Sequence, residues 1–283
     1  MNINSKFFCK KNLNLKNTYN KDFGISKESK RIKIRRKGMS GKIVRMNRIF
    51  KADGKTVIVA LDHGQFQGPI VGIADIQTTL KNVKCGQADA VILNPGAIQD
   101  NAQILGGNLA VLCRITGAST NYSPSFDYHR LISSVRHAIS LGADGVVVMG
   151  FIGGSGENQS LELLGRIAED CSVAGVPLIA EMLPQSPDHF TDPKFISLGV
   201  RVAYELGADI VKVYYTDEDS FSQVINSAKI PVVIAGGPKG KDALETAKEA
   251  IELGAKGVAY GRNVFQAEDQ ADYVRKLVEL VHS

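Results

Sequence analysis

One lysine stands where a lysine is costly. Lys212 lies in Asp209-Ile210-Val211-Lys212-Val213-Tyr214-Tyr215-Thr216, and an ammonium among such neighbours must be neutralised or paired. Burial favours the neutral amine, which is the nucleophile that adds to a ketone to give a Schiff base. The plainer reading is a lysine that snorkels to the barrel mouth and pairs with Asp62, and ion pairs imitate catalytic amines. Asp62 and His63 close the apolar run Val57-Ile58-Val59-Ala60-Leu61. A carboxylate there can pass protons while a carbinolamine forms and collapses, or it can be a helix cap or a structural salt bridge. His63 is a metal-ligand type, but His129, His137, His189 and His282 add no ligand spacing. No metal is expected. Two glycine turns, Gly236-Gly237-Pro238-Lys239 and Gly261-Arg262, each set freed backbone N–H groups beside a cation. That combination suits a phosphate, against the alternative of tight turns alone.

These residues need a frame that brings distant segments together. From Met46 onward, short β-branched runs recur at Val57–Asp62, Asp89–Asn94, Leu109–Thr116, Gly145–Ile152, Pro177–Leu183, Asp209–Tyr215, Pro231–Gly237 and Gly257–Arg262, their starts 20 to 36 residues apart. Each interval holds one loop and one helix. The runs are continuously apolar, as parallel strands covered on both faces are. The joints Leu141-Gly142-Ala143-Asp144, Leu206-Gly207-Ala208-Asp209 and Leu253-Gly254-Ala255-Lys256 repeat one pattern, and Cys85-Gly86-Gln87-Ala88-Asp89 is a version with one extra residue. Glycine ends a helix by taking the left-handed conformation. Eight such units predict an α/β fold, the (β/α)8 TIM barrel. Lys42–Phe50 is expected to be a short N-terminal helix closing the barrel floor. The stretch Pro95–Asn108 leaves room for only a short second helix. In such a barrel the active site lies at the carboxyl ends of the strands, and phosphate sites recur at strands seven and eight. Lys212 in strand six and the two glycine turns then converge with Asp62.

Composition narrows the class. The chain has 283 residues, 44% hydrophobic and 22% charged, ordinary for a soluble globular protein. No apolar run is long enough to span a bilayer. Four cysteines without a CxxC pair and the lack of a secretory signal fit a reducing, cytoplasmic setting. The net charge of +5 is uneven. Residues 1–38 carry twelve Lys and Arg against Asp22 and Glu28, a charge of +10, which leaves −5 for the rest. Residues 1–40 are therefore read as a basic, disordered extension and 41–283 as the barrel domain. The extension lacks the aromatic–basic interleaving of specific nucleic-acid binding, so no such partner is expected. A transit-like segment or a weak anionic-surface tether are the alternatives to a segment without function.

Taken together, four motifs resemble a known family. They are Asp62-His63-Gly64 followed by Gly68-Pro69, Val211-Lys212-Val213-Tyr214-Tyr215-Thr216, Val232-Val233-Ile234-Ala235-Gly236-Gly237-Pro238-Lys239, and Gly261-Arg262-Asn263-Val264-Phe265-Gln266. They resemble the archaeal-type class I fructose-bisphosphate aldolases, whose relatives include the aminodideoxyheptulosonate synthases and the thiolase that degrades phosphorylated autoinducer-2. The resemblance runs from Met46 to His282. It implies that Lys212 forms the Schiff base and that Asp62 accepts protons near the iminium. It implies that Gly236, Gly237, Gly261 and Arg262 hold the substrate phosphate. His63, Gly64, Gln65 and Phe66 would line the pocket. The implied substrate is a small phosphorylated keto sugar, with no metal or cofactor, and the implied assembly is a homo-oligomer.

One position departs from the pattern. The aldolases and synthases place a tyrosine proton donor where this chain has Leu183, in Ala180-Glu181-Met182-Leu183-Pro184. Glu181 shares the strand parity of Leu183. Either Glu181 or Tyr214, two residues beyond Lys212, is expected to take the tyrosine's role. The alternative for Glu181 is an internal ion pair with a barrel lysine. The autoinducer relative also lacks the tyrosine, and its loop resembles His63-Gly64-Gln65-Phe66-Gln67-Gly68-Pro69. The expected activity is a Schiff-base aldolase. The same-family alternative is a thiolase with coenzyme A as co-substrate, and the non-enzymatic one is a barrel that only binds a phosphorylated ligand.

Overall fold

The computed structural model describes residues 40–117, 119–123, 129–236 and 242–283. The basic extension, Gly237 and Lys239 lie outside the described residues. Eight parallel strands close on themselves: β1 (Thr56–Ala60), β2 (Ala90–Leu93), β3 (Ala110–Arg114), β6 (Gly145–Ile152), β7 (Leu178–Pro184), β8 (Ile210–Tyr214), β9 (Val232–Ala235) and β10 (Gly257–Tyr260), with β10 pairing back onto β1. A two-residue antiparallel pair, β4 (Thr116–Gly117) and β5 (Arg130–Leu131), sits in the loop after β3. The chain therefore forms the (β/α)8 barrel that the spacing predicts.

Helices fill the intervals. They are α1 (Ser40–Ile49), α2 (Gly64–Gln67), α3 (Ile76–Cys85), α4 (Pro95–Asp100), α5 (Val135–Ser140), α6 (Glu157–Ala174), α7 (Pro193–Glu205), α8 (Glu218–Ser227), α9 (Ala243–Glu252), α10 (Arg262–Phe265) and α11 (Gln270–His282). Local chemistry fixes their starts. Asp75, Ser134, Asp192, Asp217, Asp242 and Asp269 each accept a hydrogen bond from a backbone N–H of the first turn that they cap. The second interval is as cramped as expected: α4 has six residues.

Strand parity sorts the side chains. Val57, Val59, Val91, Val111, Val146, Val211 and Ile234 point outward and pack under the helices. Ile58, Ala60, Ile92, Leu112, Val147, Ile179, Ile210, Val233 and Ala259 point inward. Met46, Ile49 and Phe50 join that inner cluster. The helix α1 thus plugs the floor, as the sequence leads one to expect.

The Gly-Ala-Asp joints do more than turn the chain. Asp89, Asp144 and Asp209 each accept the backbone N–H that opens the neighbouring strand, from Val57 (2.6 Å), Val111 (3.0 Å) and Leu178 (3.0 Å). Each also meets a cation from α1 or the turn after it: Lys51 at 3.2 Å, Arg48 at 3.0 Å and Lys42 at 2.8 Å. One repeated acid therefore sets strand register and anchors the floor. One glycine acts otherwise than predicted. Gly142, Gly207 and Gly254 take positive φ, but Gly86 has φ −72° and Gln87 takes the left-handed turn at φ 66°. A Cβ on Gly86 would lie 2.6 Å from Val274 Cβ and 2.7 Å from the Ala271 carbonyl oxygen. Gly86 is a contact surface for α11, and the extra residue does the turning.

Candidate active site

Four ionisable side chains form one layer inside the barrel, just above the apolar plug. Asp62, Arg114, Glu181 and Lys212 are 3, 5, 7 and 5% exposed. All lie on the inward parity: Asp62 just past β1, Arg114 at the end of β3, and Glu181 and Lys212 in the middle of β7 and β8. Register makes Glu181 the direct neighbour of Lys212. The Lys212 Nζ sits 2.6 Å from Glu181 Oε1. Arg114 Nη2 donates to Glu181 Oε2, and Arg114 Nε donates to Asp62 Oδ2 at 2.7 Å. The chain of contacts runs Lys212–Glu181–Arg114–Asp62, two acids against two bases.

This corrects one expectation and fulfils another. Lys212 pairs with Glu181 rather than with Asp62, whose direct partner is Arg114. Glu181 makes the internal ion pair that was its alternative role. Its carboxylate is in direct contact with the Lys212 amine. Burial works against the charge on Glu181, but Lys212 and Arg114 overcome it and hold the carboxyl far below the usual range. At Asp62 burial again opposes ionisation, and Arg114, then His63 and Lys212, outweigh it and lower its pKa. Burial opposes the charge on Arg114, but Glu181 and then Asp62 outweigh it and raise its already high pKa. The two acids therefore stay ionised at neutral pH.

Above this layer the wall turns apolar. Met149, Phe151 and Leu183 form a small cluster with Tyr214 packed against it. Phe190, from the loop after β7, stacks on Tyr214 with ring centroids 5.2 Å apart. Burial pushes the Tyr214 phenol upward, so it keeps its proton. Leu183 is 7% exposed, and its position offers an apolar contact and no proton.

The loop after β1 forms one side of the mouth. Asp62 Oδ1 lies 3.6 Å from His63 Nδ1. Burial lowers the His63 pKa, so the ring is neutral at pH 7. His63 packs between Phe66 and Phe265 at 5.4 and 5.1 Å. Gly261 is required here, because a Cβ would fall 2.5 Å from His63 Cε1. Gly64 opens α2. Gln65 Nε2 donates to the Ser119 carbonyl at 3.1 Å, and Asn121 N donates to the Phe66 carbonyl at 2.9 Å. Those two bonds tie the first loop to the third. Gly236 follows β9, and a Cβ there would fall 2.3 Å from Asn263 Oδ1. Arg262 is exposed on the rim, and its charge acts on His63 and Tyr214. Gly236, Gly261 and Arg262 therefore border the same mouth as Lys212.

Three residues of this site carry no weight in the sequence reading. Arg114 interrupts the run Leu109–Ile115 as Lys212 interrupts its own, and that signal was available. Asn94, whose Nδ2 donates to the Asp62 carbonyl at 2.7 Å, follows β2 and looks like an ordinary turn residue. His129 is in the loop between β4 and β5, where sequence marks nothing. It is buried, its ring meets Phe151 edge-on at 5.4 Å, and burial then Arg114 bring its pKa down to about 4. Among the described residues no three His, Cys, Asp or Glu side chains gather as a metal site would need, and no helix is long and apolar enough to cross a membrane.

Residues 56–267 match the DeoC/LacD family aldolase model. The chain belongs to that family. It is 38% identical over 246 residues to the 2-amino-3,7-dideoxy-D-threo-hept-6-ulosonate synthase 1 of Archaeoglobus fulgidus, covering 86% of this chain and 92% of that one. It is 31% identical over 269 residues to the 3-hydroxy-5-phosphonooxypentane-2,4-dione thiolase of Escherichia coli, covering 93 and 91%. An archaeal fructose-1,6-bisphosphate aldolase, solved with its catalytic lysine covalently bound to the carbinolamine intermediate of the substrate, superposes with a TM-score of 0.77 at 31% identity, over 86% of this chain and all of that one. The family is one of class I, Schiff-base aldolases and their relatives, so this DeoC/LacD chain is an enzyme of that kind.

Proposed function

We propose that the protein cleaves or forms a carbon–carbon bond in a phosphorylated ketose through a Schiff base on Lys212. The observation that carries this reading is the buried 2.6 Å contact between Lys212 Nζ and Glu181 Oε1 inside the barrel, level with Asp62 and Arg114. An ammonium must lose its proton before it can attack, and Glu181 is the base in contact with it. The amine lone pair then adds to the ketone carbon, and the oxygen takes a proton to give a carbinolamine. Asp62, held by Arg114, passes protons as water leaves and the iminium forms. The iminium's positive charge replaces that of the ammonium opposite Glu181, so the carboxylate stabilises the intermediate as it stabilised the free lysine. Glu181, ionised again opposite the iminium, takes the proton of the substrate hydroxyl as the adjacent C–C bond breaks, and the bond's electron pair flows into the iminium to give an enamine. Tyr214 supplies the protonated group on that side of the mouth. Protonation of the enamine and addition of water return the amine. Gly236, Gly261 and Arg262 anchor the phosphate past the ends of β9 and β10, the strands beside β8, with Gly237 and Lys239 proposed from sequence to complete the anchor.

A second reading has its own observation. Leu183 and its neighbours Met149 and Phe151 make an apolar wall where a protein acid would serve aldol chemistry. An external thiol needs no such acid: it attacks the second carbonyl of a phosphorylated dione, and the enamine departs as above. Turnover assays separate the two. Cleavage of a ketose bisphosphate without coenzyme A supports the aldolase. Turnover confined to a phosphorylated 2,4-dione with coenzyme A supports the thiolase. Binding of both compounds with turnover of neither would reduce the protein to a ligand-binding barrel.

A further inference from the structure

Asn94 and Arg114 occupy one rung of the barrel wall. Leu93 is opposite Cys113, so Asn94 and Arg114 are the next pair. Ala60 is opposite Ile92, which puts Asp62 on the other side of Asn94. Neighbouring strands run about 5 Å apart, so the three side chains start side by side on the inward parity.

Arg114 and Asn94 each keep one buried polar atom that no described residue satisfies. Arg114 uses Nε on Asp62 and Nη2 on Glu181, while its Nη1 is buried without an acceptor. Asn94 uses Nδ2 on the Asp62 carbonyl, while its Oδ1 is buried without a donor. Buried polar atoms are nearly always matched, and here neighbouring strands supply one unmatched donor and one unmatched acceptor. A carboxylate accepts only and would leave Asn94 unmatched. It would also add charge to a layer where two acids already balance two bases. An ammonium donates only and would leave Arg114 unmatched. A hydroxyl satisfies both, accepting from Arg114 and donating to Asn94.

We propose that Asn94 and Arg114 form a subsite for the hydroxyl on the carbon beside the substrate's ketone, and that they set a preference for hydroxyketone phosphates over their deoxy counterparts. The position follows from contact: Arg114 touches Glu181, which touches the Lys212 amine, so the pair borders the carbon next to the one attacked. The inference rests on Lys212 being that amine.

The test compares two ketones that differ by one hydroxyl, dihydroxyacetone phosphate and hydroxyacetone phosphate bearing a methyl group in its place. Each is incubated with the full-length protein and borohydride, and the rate of reduced adduct on Lys212 is read by peptide mass spectrometry. The expected wild-type preference for the hydroxylated ketone is about tenfold or more, the scale of a hydrogen bond to a charged group. Asn94→Ala and Arg114→Lys should each bring that ratio close to one. Taking the ratio removes any common loss of rate, and the wild-type arm does not depend on either variant folding. Equal trapping in the wild type would assign the two atoms to the ketone's own oxygen and overturn the proposal, as would folded variants that keep the wild-type ratio. Trapping of neither ketone would remove the Lys212 reading, and this inference with it.

Discussion

Glu181 holds both cations of the site, so it is the residue where chemistry and stability are most closely joined. Buried ion pairs add little to stability over an apolar core, but removing one partner strands the others at a cost of about 3–5 kcal/mol. Glu181→Gln should therefore lower the denaturant-derived unfolding free energy by about 3 kcal/mol and cut borohydride trapping at least about tenfold, the lower scale for loss of a catalytic proton acceptor or electrostatic partner. A folded variant with unchanged trapping would leave Glu181 as a structural counter-ion. Lys212, Asp62 and the two glycine turns stand out in sequence because each breaks a strong local rule at a strand end. The link between Lys212 and Asp62 does not, because Arg114 joins them across three segments and pairwise partners depend on barrel register. The expected pairing of Lys212 with Asp62 fails for the same reason, and strand pairing puts Glu181 there instead.

Elements are set by short-range rules that sequence carries well and by contacts that it hides. The strands fall within a residue or two of their β-branched runs, and six of the helices begin at Asp or Ser caps. Gly86 is the exception, since its role is set by α11, nearly 190 residues later. Gly86→Ala should push α3 off α11 and lower stability by about 1–3 kcal/mol, the range for overpacking, read as a shift in the unfolding midpoint without loss of trapping in the folded fraction. The end of α11 has its own anchor. His282 Nδ1 lies 2.7 Å from Asp53 Oδ2, and Nε2 lies 2.9 Å from Asp89 Oδ2. Burial opposes charge on the ring, but the two carboxylates prevail and raise its pKa. A raised folded pKa means a contribution that is full below the unfolded value of about 6.5 and fades as pH climbs through the folded one. Stability of the wild type should therefore drop more steeply between pH 6 and 8.5 than that of His282→Gln, as measured by urea titration at each pH.

The whole molecule divides its work along the barrel axis. Asp89, Asp144 and Asp209, with Lys51, Arg48 and Lys42, lock strand register at the floor, and Met46, Ile49 and Phe50 seal it. That rigid end leaves the carboxyl end free to hold four charges. Removing residues 1–38 spares every one of these contacts, so the shortened chain should fold and trap ketone at the wild-type rate. Removing residues 1–50 deletes the plug and should abolish cooperative unfolding. The central claim concerns a single amine, and one measurement reaches it. The full-length protein is treated with dihydroxyacetone phosphate and borohydride, digested, and mapped by mass spectrometry. The account predicts one reduced adduct, on the peptide bearing Lys212, and none in Lys212→Ala. An adduct on a different lysine, or labelling that survives Lys212→Ala, would contradict it.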